Sequence, residues 1–143
     1  CDEIGASKVA LRVSPFSYAD TKENPTELFK VYNKLAEQLN DFDLAYLHLS
    51  HMGDAVSDKF KLWKEIREGY KGVLMLCGDF TKDTAEATLN NNEADLIAFG
   101  RDYIANPDFV ERLKNDWPLA NRDRSKWYTL GAEGLINYPF YQK

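Results

Sequence analysis

Cysteine is scarce, with Cys1 and Cys77 the only two among 143 residues. Two thiols so far apart in sequence make neither a disulfide framework nor a metal motif. Cys77 sits inside an apolar run, where a reduced structural thiol is the expected state, and this points to a reducing compartment such as the cytoplasm. No apolar stretch approaches the roughly 20 residues that cross a bilayer. The opening Cys1-Asp2-Glu3-Ile4-Gly5 lacks the basic and apolar regions of a signal peptide. It also lacks an initiating methionine, which points to sequence upstream. Bases are the minority, 18 Lys and Arg against 23 Asp and Glu, for a net charge of −5. The two signs are mixed along the chain and form no basic stripe, which argues against a nucleic-acid partner. Also missing are Gly-x-Gly-x-x-Gly, a phosphate-loop signature, zinc-ligand spacing and a Ser/His/Asp set.

What is present is an ordinary globular composition, 44% hydrophobic and 29% charged. That is enough apolar material to offset chain entropy, and the length fits one domain. Four short apolar runs stand out: Val9–Val13, Leu44–Leu49, Gly72–Cys77 and Ala94–Phe99. Each has about the usual strand length. Such nearly continuous runs predict strands of a parallel sheet, buried on both faces.

Helical patterns fill the gaps. Asn24-Pro25-Thr26-Glu27 offers a cap, a proline suited to the first turn and a glutamate able to close a capping box. Leu28, Val31, Tyr32, Leu35 and Leu39 then recur at helical spacing. A second helix follows Ser57-Asp58, with Phe60, Trp63, Ile66 and Tyr70 on one face. A third starts near Thr81. A fourth repeats the opening signal as Asn106-Pro107-Asp108. After about Asp116 the periodicity stops, and residues 117–143 form an aromatic-rich tail expected to pack over the sheet.

The order β-α-β-α-β-α-β-α implies a parallel sheet with right-handed crossovers. Two architectures fit. One is a small open doubly wound sheet, and the other is half of a closed (β/α)8 barrel. A full barrel needs ~250 residues, so residues 1–143 form at most half of one. The residues at the strand ends favour the half-barrel. Strand three runs into Cys77-Gly78-Asp79-Phe80, and strand four into Phe99-Gly100-Arg101-Asp102. Glycine at a strand exit lets backbone N–H groups approach an anion, and Arg101 adds a fork suited to phosphate. Many barrels build a phosphate site after their last two strands. Equally, Gly78 and Gly100 read as turn glycines and Arg101 as a surface charge. Arg12 lies within Val9–Val13, where an unpaired buried charge is costly. Its partner is either a carboxylate elsewhere in the barrel or an electron-rich ligand. His48 reads as a hydrogen-bonded core histidine. Trp127 and Tyr128 pack in the tail or reach a ligand.

Together these segments resemble the old yellow enzyme family of flavin-dependent ene-reductases, in its C-terminal half only. The likeness is carried, in order, by Leu11-Arg12-Val13-Ser14-Pro15-Phe16, Leu44-Ala45-Tyr46-Leu47-His48-Leu49, Gly78-Asp79-Phe80 and Ala98-Phe99-Gly100-Arg101. It continues through Asn106-Pro107-Asp108, Pro118-Leu119, Asp123-Arg124-Ser125-Lys126-Trp127-Tyr128 and Tyr138-Pro139-Phe140. The resemblance implies that Arg12 faces the flavin pyrimidine and stabilises its anionic reduced form. It also implies that Gly78, Asp79, Phe99, Gly100 and Arg101 surround FMN and its phosphate, and that Trp127 and Tyr128 lie at the substrate mouth. NADPH or NADH would reduce the flavin, which would then pass hydride from N5 to an activated alkene, an enone or a quinone being the substrate class. The family's proton-donating tyrosine and substrate-anchoring pair belong to the N-terminal half, so no catalytic residue is assigned here.

Two departures from the family stand out. Asp79 occupies a position that is commonly small or neutral, and a carboxylate beside a phosphate is unfavourable unless it turns away or meets Arg101. The loop from Ser50 to Asp58 is shorter than in many relatives. The leading expectation is one half of an FMN oxidoreductase, inactive until an N-terminal half completes it. The alternatives are a catalytically silent half-barrel that binds a phosphate ligand or self-assembles, and a flavin-free phosphate-binding barrel enzyme.

Overall fold

A computed structural model describes residues 1–16, 24–51, 56–127 and 129–142, without the side chains of 56–58. The chain divides into two compact units, Cys1–Ala98 and Phe99–Lys143.

The first unit runs β1 (Ala10–Val13), α1 (Pro25–Leu39), β2 (Tyr46–Ser50), α2 (Val56–Gly69), β3 (Leu74–Cys77), α3 (Lys82–Asn90) and β4 (Leu96–Ile97). The strands are all parallel, in the order β1-β2-β3-β4. A strand order that never reverses keeps every right-handed crossover on the same side of the sheet. The helices therefore cover one face only, as in a barrel wall. A doubly wound sheet needs a reversal and has none here.

Register and the strand period of two sort the side chains. Arg12 pairs with His48, His48 with Met75, and Met75 with Leu96. This row shares one face. The opposite face carries Leu47, Leu49, Leu74 and Leu76, all 2% exposed or less. Burial on both faces, as the apolar runs predicted, is not what the structure has. Arg12 is exposed, His48 and Met75 are half-buried, and Leu96 is 42% exposed. Helices shield the leucine face, and no second layer within this unit shields the other.

Local chemistry explains the helix starts. The Asn24 side chain accepts the Thr26 N–H at 2.9 Å, and Pro25 opens α1. Glu27 does not close a capping box but pairs with Lys30 at 2.8 Å. Thr81 and Thr84 form a reciprocal capping box at the start of α3. Leu28, Ala36 and Leu39 of α1 and Leu62, Trp63 and Ile66 of α2 are buried. Asp95 ties the lower edge together. Its carboxylate accepts from Arg67 and from the Leu74 N–H, each at 2.8 Å.

The second unit holds α4 (Arg101–Ala105), α5 (Phe109–Asn115) and a 3-10 turn at Arg124–Lys126. Sequence periodicity did not predict α4. Asn106, expected to cap the fourth helix, instead terminates α4 in an extended conformation (φ −136°, ψ 91°), as the residue before a proline prefers. It is fully buried, donates to the Asp102 carbonyl and accepts from the Ala120 N–H, both at 2.8 Å. The aperiodic tail is held by Arg112 rather than by a helix face. Arg112 donates to the Asp108 carboxylate at 2.6 Å and to the carbonyls of Pro118 at 2.9 Å and Pro139 at 3.1 Å. The other Asp108 oxygen accepts the Tyr141 N–H at 2.7 Å. Trp117 stacks on Tyr141 with ring centres 4.7 Å apart.

Candidate functional site

The open face of the sheet carries the most informative pair. Arg12 Nη2 donates to Ser50 Oγ at 2.9 Å. Ser50 pairs with Cys77, one same-face position beyond the row that contains Arg12 and His48. The guanidinium therefore leans toward the C-terminal edge of the strands, the edge where barrels build their sites. Sequence reading offered a buried carboxylate or a ligand as its partner. The hydrogen bond instead goes to a serine hydroxyl, which leaves the positive charge uncompensated by that contact and the side chain exposed. Ser50 was overlooked, although a polar residue closing an apolar run was a legible signal.

His48 stands beside Arg12. Burial lowers its pKa below the ordinary 6.5, and the positive charge of Arg12 lowers it further. Its Nε2 is enclosed and has no hydrogen-bond partner, which corrects the reading of a satisfied core histidine.

Gly78 directly follows β3 and is buried. A Cβ there would stand 3.3 Å from both His51 Cβ and Trp63 Cη2. Close packing thus accounts for this glycine whatever else its N–H does. Asp79 adopts a left-handed backbone (φ 50°) and is exposed. Aspartate is among the few non-glycine residues that enter this region readily. Gly78 and Asp79 border an open pocket of about 380 Å³ with Lys59, Phe60, Thr84 and Glu93.

Phe99, Gly100 and Arg101 belong to the second unit. Gly100 precedes α4, and a Cβ there would meet nothing within 4 Å. Arg101 is the first residue of α4 and is exposed. The Phe99 ring packs against Phe109, with centres 5.0 Å apart. Below them Asp102, 8% exposed, receives Arg122 Nη2 at 2.9 Å. This pair fixes α4 against the tail and went unnoticed in the sequence, because 20 residues separate its members. Trp127 closes the 3-10 turn with its indole N–H buried and lacking a hydrogen-bond partner. Tyr128 and residues 52–55 of the short loop lie outside the described residues. Among the described residues no group of acids, histidines and cysteines is arranged to hold a metal, and no helix is long and apolar enough to cross a membrane.

Comparison with known proteins places this geometry. Residues 1–120 match the model of the NADH:flavin oxidoreductase / NADH oxidase family. The chain is 33% identical to a rice protein, putative 12-oxophytodienoate reductase 11, covering 97% of this chain and 39% of that protein. It is 34% identical to a probable flavin mononucleotide-dependent alkene reductase of Leishmania infantum, covering 96% of this chain and 37% of that one. The old yellow enzyme structure from Trypanosoma cruzi superposes with a TM-score of 0.89 at 30% identity, covering 99% of this chain and 37% of its own. The chain thus spans less than two fifths of the length of these relatives.

Proposed function

We propose that this chain, which belongs to the NADH:flavin oxidoreductase / NADH oxidase family, is the flavin-phosphate half of an FMN-dependent NAD(P)H oxidoreductase that reduces activated C=C bonds. Its fold is half of a (β/α)8 barrel, and residues 1–143 act as one half-barrel whose open sheet face is covered by an N-terminal half. A row containing Met75 and a 42% exposed Leu96 is costly to leave in water. The chain's share of its relatives' length, 39% and 37%, leaves ample sequence to supply the missing wall.

The observation that carries the reading is Arg12, a cation on the open sheet face, aimed at the C-terminal edge and held there by Ser50. The residues present fit FMN. Arg12 offers a cation to the pyrimidine edge, the orphaned Nε2 of His48 lies beside it, and Gly100 leaves open space where a side chain would otherwise stand. Gly78, Asp79, Phe99, Gly100 and Arg101 would hold the ribityl phosphate end, with the Asp79 carboxylate turned away. Trp127 and Tyr128 would border an enone or quinone substrate. When bound, FMN supplies hydride chemistry, accepting from NADPH or NADH and delivering to the alkene. The proton donor and the substrate anchors come from the N-terminal half, so this chain alone is inactive. Neither cysteine is in a disulfide, in keeping with a reducing, cytoplasmic setting.

The test is to mix the chain with FMN, with and without its N-terminal half, and follow flavin absorbance through gel filtration. Flavin retained only by the two-part complex supports the proposal. Flavin retained by neither favours a silent half-barrel that self-assembles or binds another phosphate ligand.

A further inference from the structure

His48 is the polar group on the open face that the proposed flavin contacts leave unused. It sits directly across from Arg12 in the β1–β2 register. Its Nε2 is enclosed and without a partner, and an enclosed imidazole nitrogen left unpaired costs stability. The groups facing it can be named strand by strand. Arg12 comes from β1, Tyr46 and Ser50 from its own strand, and Met75 and Cys77 from β3, as register and strand parity require. None of these is an acid that would favour imidazolium, and Arg12 opposes it. A neutral imidazole offers one donor and one acceptor, chosen by tautomer.

Resting on the flavoprotein reading above, we infer that His48 is a second flavin contact: a neutral imidazole whose Nε2 hydrogen-bonds the bound flavin beside the Arg12 cation, and whose protonation adds a second positive charge that raises the flavin potential. The pair divides the work. Arg12 provides permanent charge, and His48 provides a hydrogen bond at neutral pH and extra charge in acid. The competing explanation is that a polar group of the N-terminal half meets Nε2 in the barrel interior.

The experiment uses the complete flavoprotein, this chain with its N-terminal half and FMN, and compares it with its His48→Gln variant, which keeps a hydrogen-bonding side chain but cannot titrate. The two-electron potential is measured from neutral pH down through the range below 6.5, the ordinary imidazole value. The expected result is a native profile that steepens on the acid side and a His48→Gln profile that keeps one slope throughout. In ¹⁵N-labelled protein the His48 imidazole resonances should also shift when FMN is added. Profiles of the same shape in both proteins, with imidazole signals indifferent to FMN, overturn the inference and leave the flavoprotein reading standing. A native complex that binds no FMN overturns that reading and the role of His48 with it. His48→Phe, which removes the hydrogen bond, should weaken FMN binding by about tenfold, the equivalent of roughly 1.4 kcal/mol. His48→Gln should recover most of that loss. Equal FMN affinity in all three proteins counts against the contact.

Discussion

Replacing Arg12 with alanine separates a structural arginine from a flavin-tuning one. The structural cost is small, because the side chain is exposed and its removal opens no buried cavity. The bond lost is the one to Ser50 at 2.9 Å, with a net worth of about 1 kcal/mol. The functional effect is larger. A hydrogen bond to a charged group is worth about 1.5–3 kcal/mol. If the reduced, anionic flavin gains that stabilisation and the oxidised form does not, its loss lowers the potential. For a two-electron couple, where about 30 mV corresponds to 1.4 kcal/mol, the expected drop is about 30–65 mV. The assay is a dye-equilibrated redox titration of the FMN-loaded complete protein at neutral pH, with urea denaturation run in parallel. The reasoning predicts a lower potential with nearly unchanged stability. An unchanged potential with FMN still bound refutes the role given to Arg12. A large stability loss would show instead that the residue serves packing.

Two further outcomes concern the second unit. Gly134 has φ +77°, and a Cβ there would lie 2.1 Å from the Lys126 carbonyl oxygen. Gly134→Ala should therefore lower the urea midpoint by about 1–2 kcal/mol from left-handed strain alone, and by more from the contact. Asp108 is affected first by burial, which works against its charge. The Tyr141 N–H and Arg112 outweigh burial and hold its carboxyl below the ordinary 3.8. A carboxyl lowered by folding adds stability that is full above the unfolded value and vanishes as pH falls through the folded one. The acid-unfolding curve should accordingly lose a component below about pH 4 in Asp108→Asn, and this variant should be less stable at neutral pH.

Strand positions were legible because each apolar run alternates helix-facing leucines, such as Leu47 and Leu49, with residues that tolerate the other face. The runs overstated burial because Met75 and Leu96 are apolar for a covering wall that this chain does not itself contain. Arg12 drew notice as a charge inside such a run, yet its serine partner lies 38 residues away and no local pattern announces it. The five residues of α4 show no periodicity long enough to read. Asp108 and Arg112 resemble an ordinary pair one helical turn apart. Only the fold shows them buried and holding Tyr141, 33 residues from Asp108. Gly78 was noticed for its place after a strand, whereas its crowding by His51 and Trp63 is a tertiary fact.

The claim at the centre of this account is that the segments around Gly78 and around Gly100 and Arg101 together hold a flavin phosphate. It is tested most directly by comparing the affinities of the complete protein for FMN and for riboflavin, which has the same ring system without the phosphate. The account predicts a strong preference for FMN that Arg101→Ala largely abolishes, by weakening FMN binding and leaving riboflavin binding alone. Equal affinity for FMN and riboflavin in the native protein, or a preference untouched by Arg101→Ala, would contradict it.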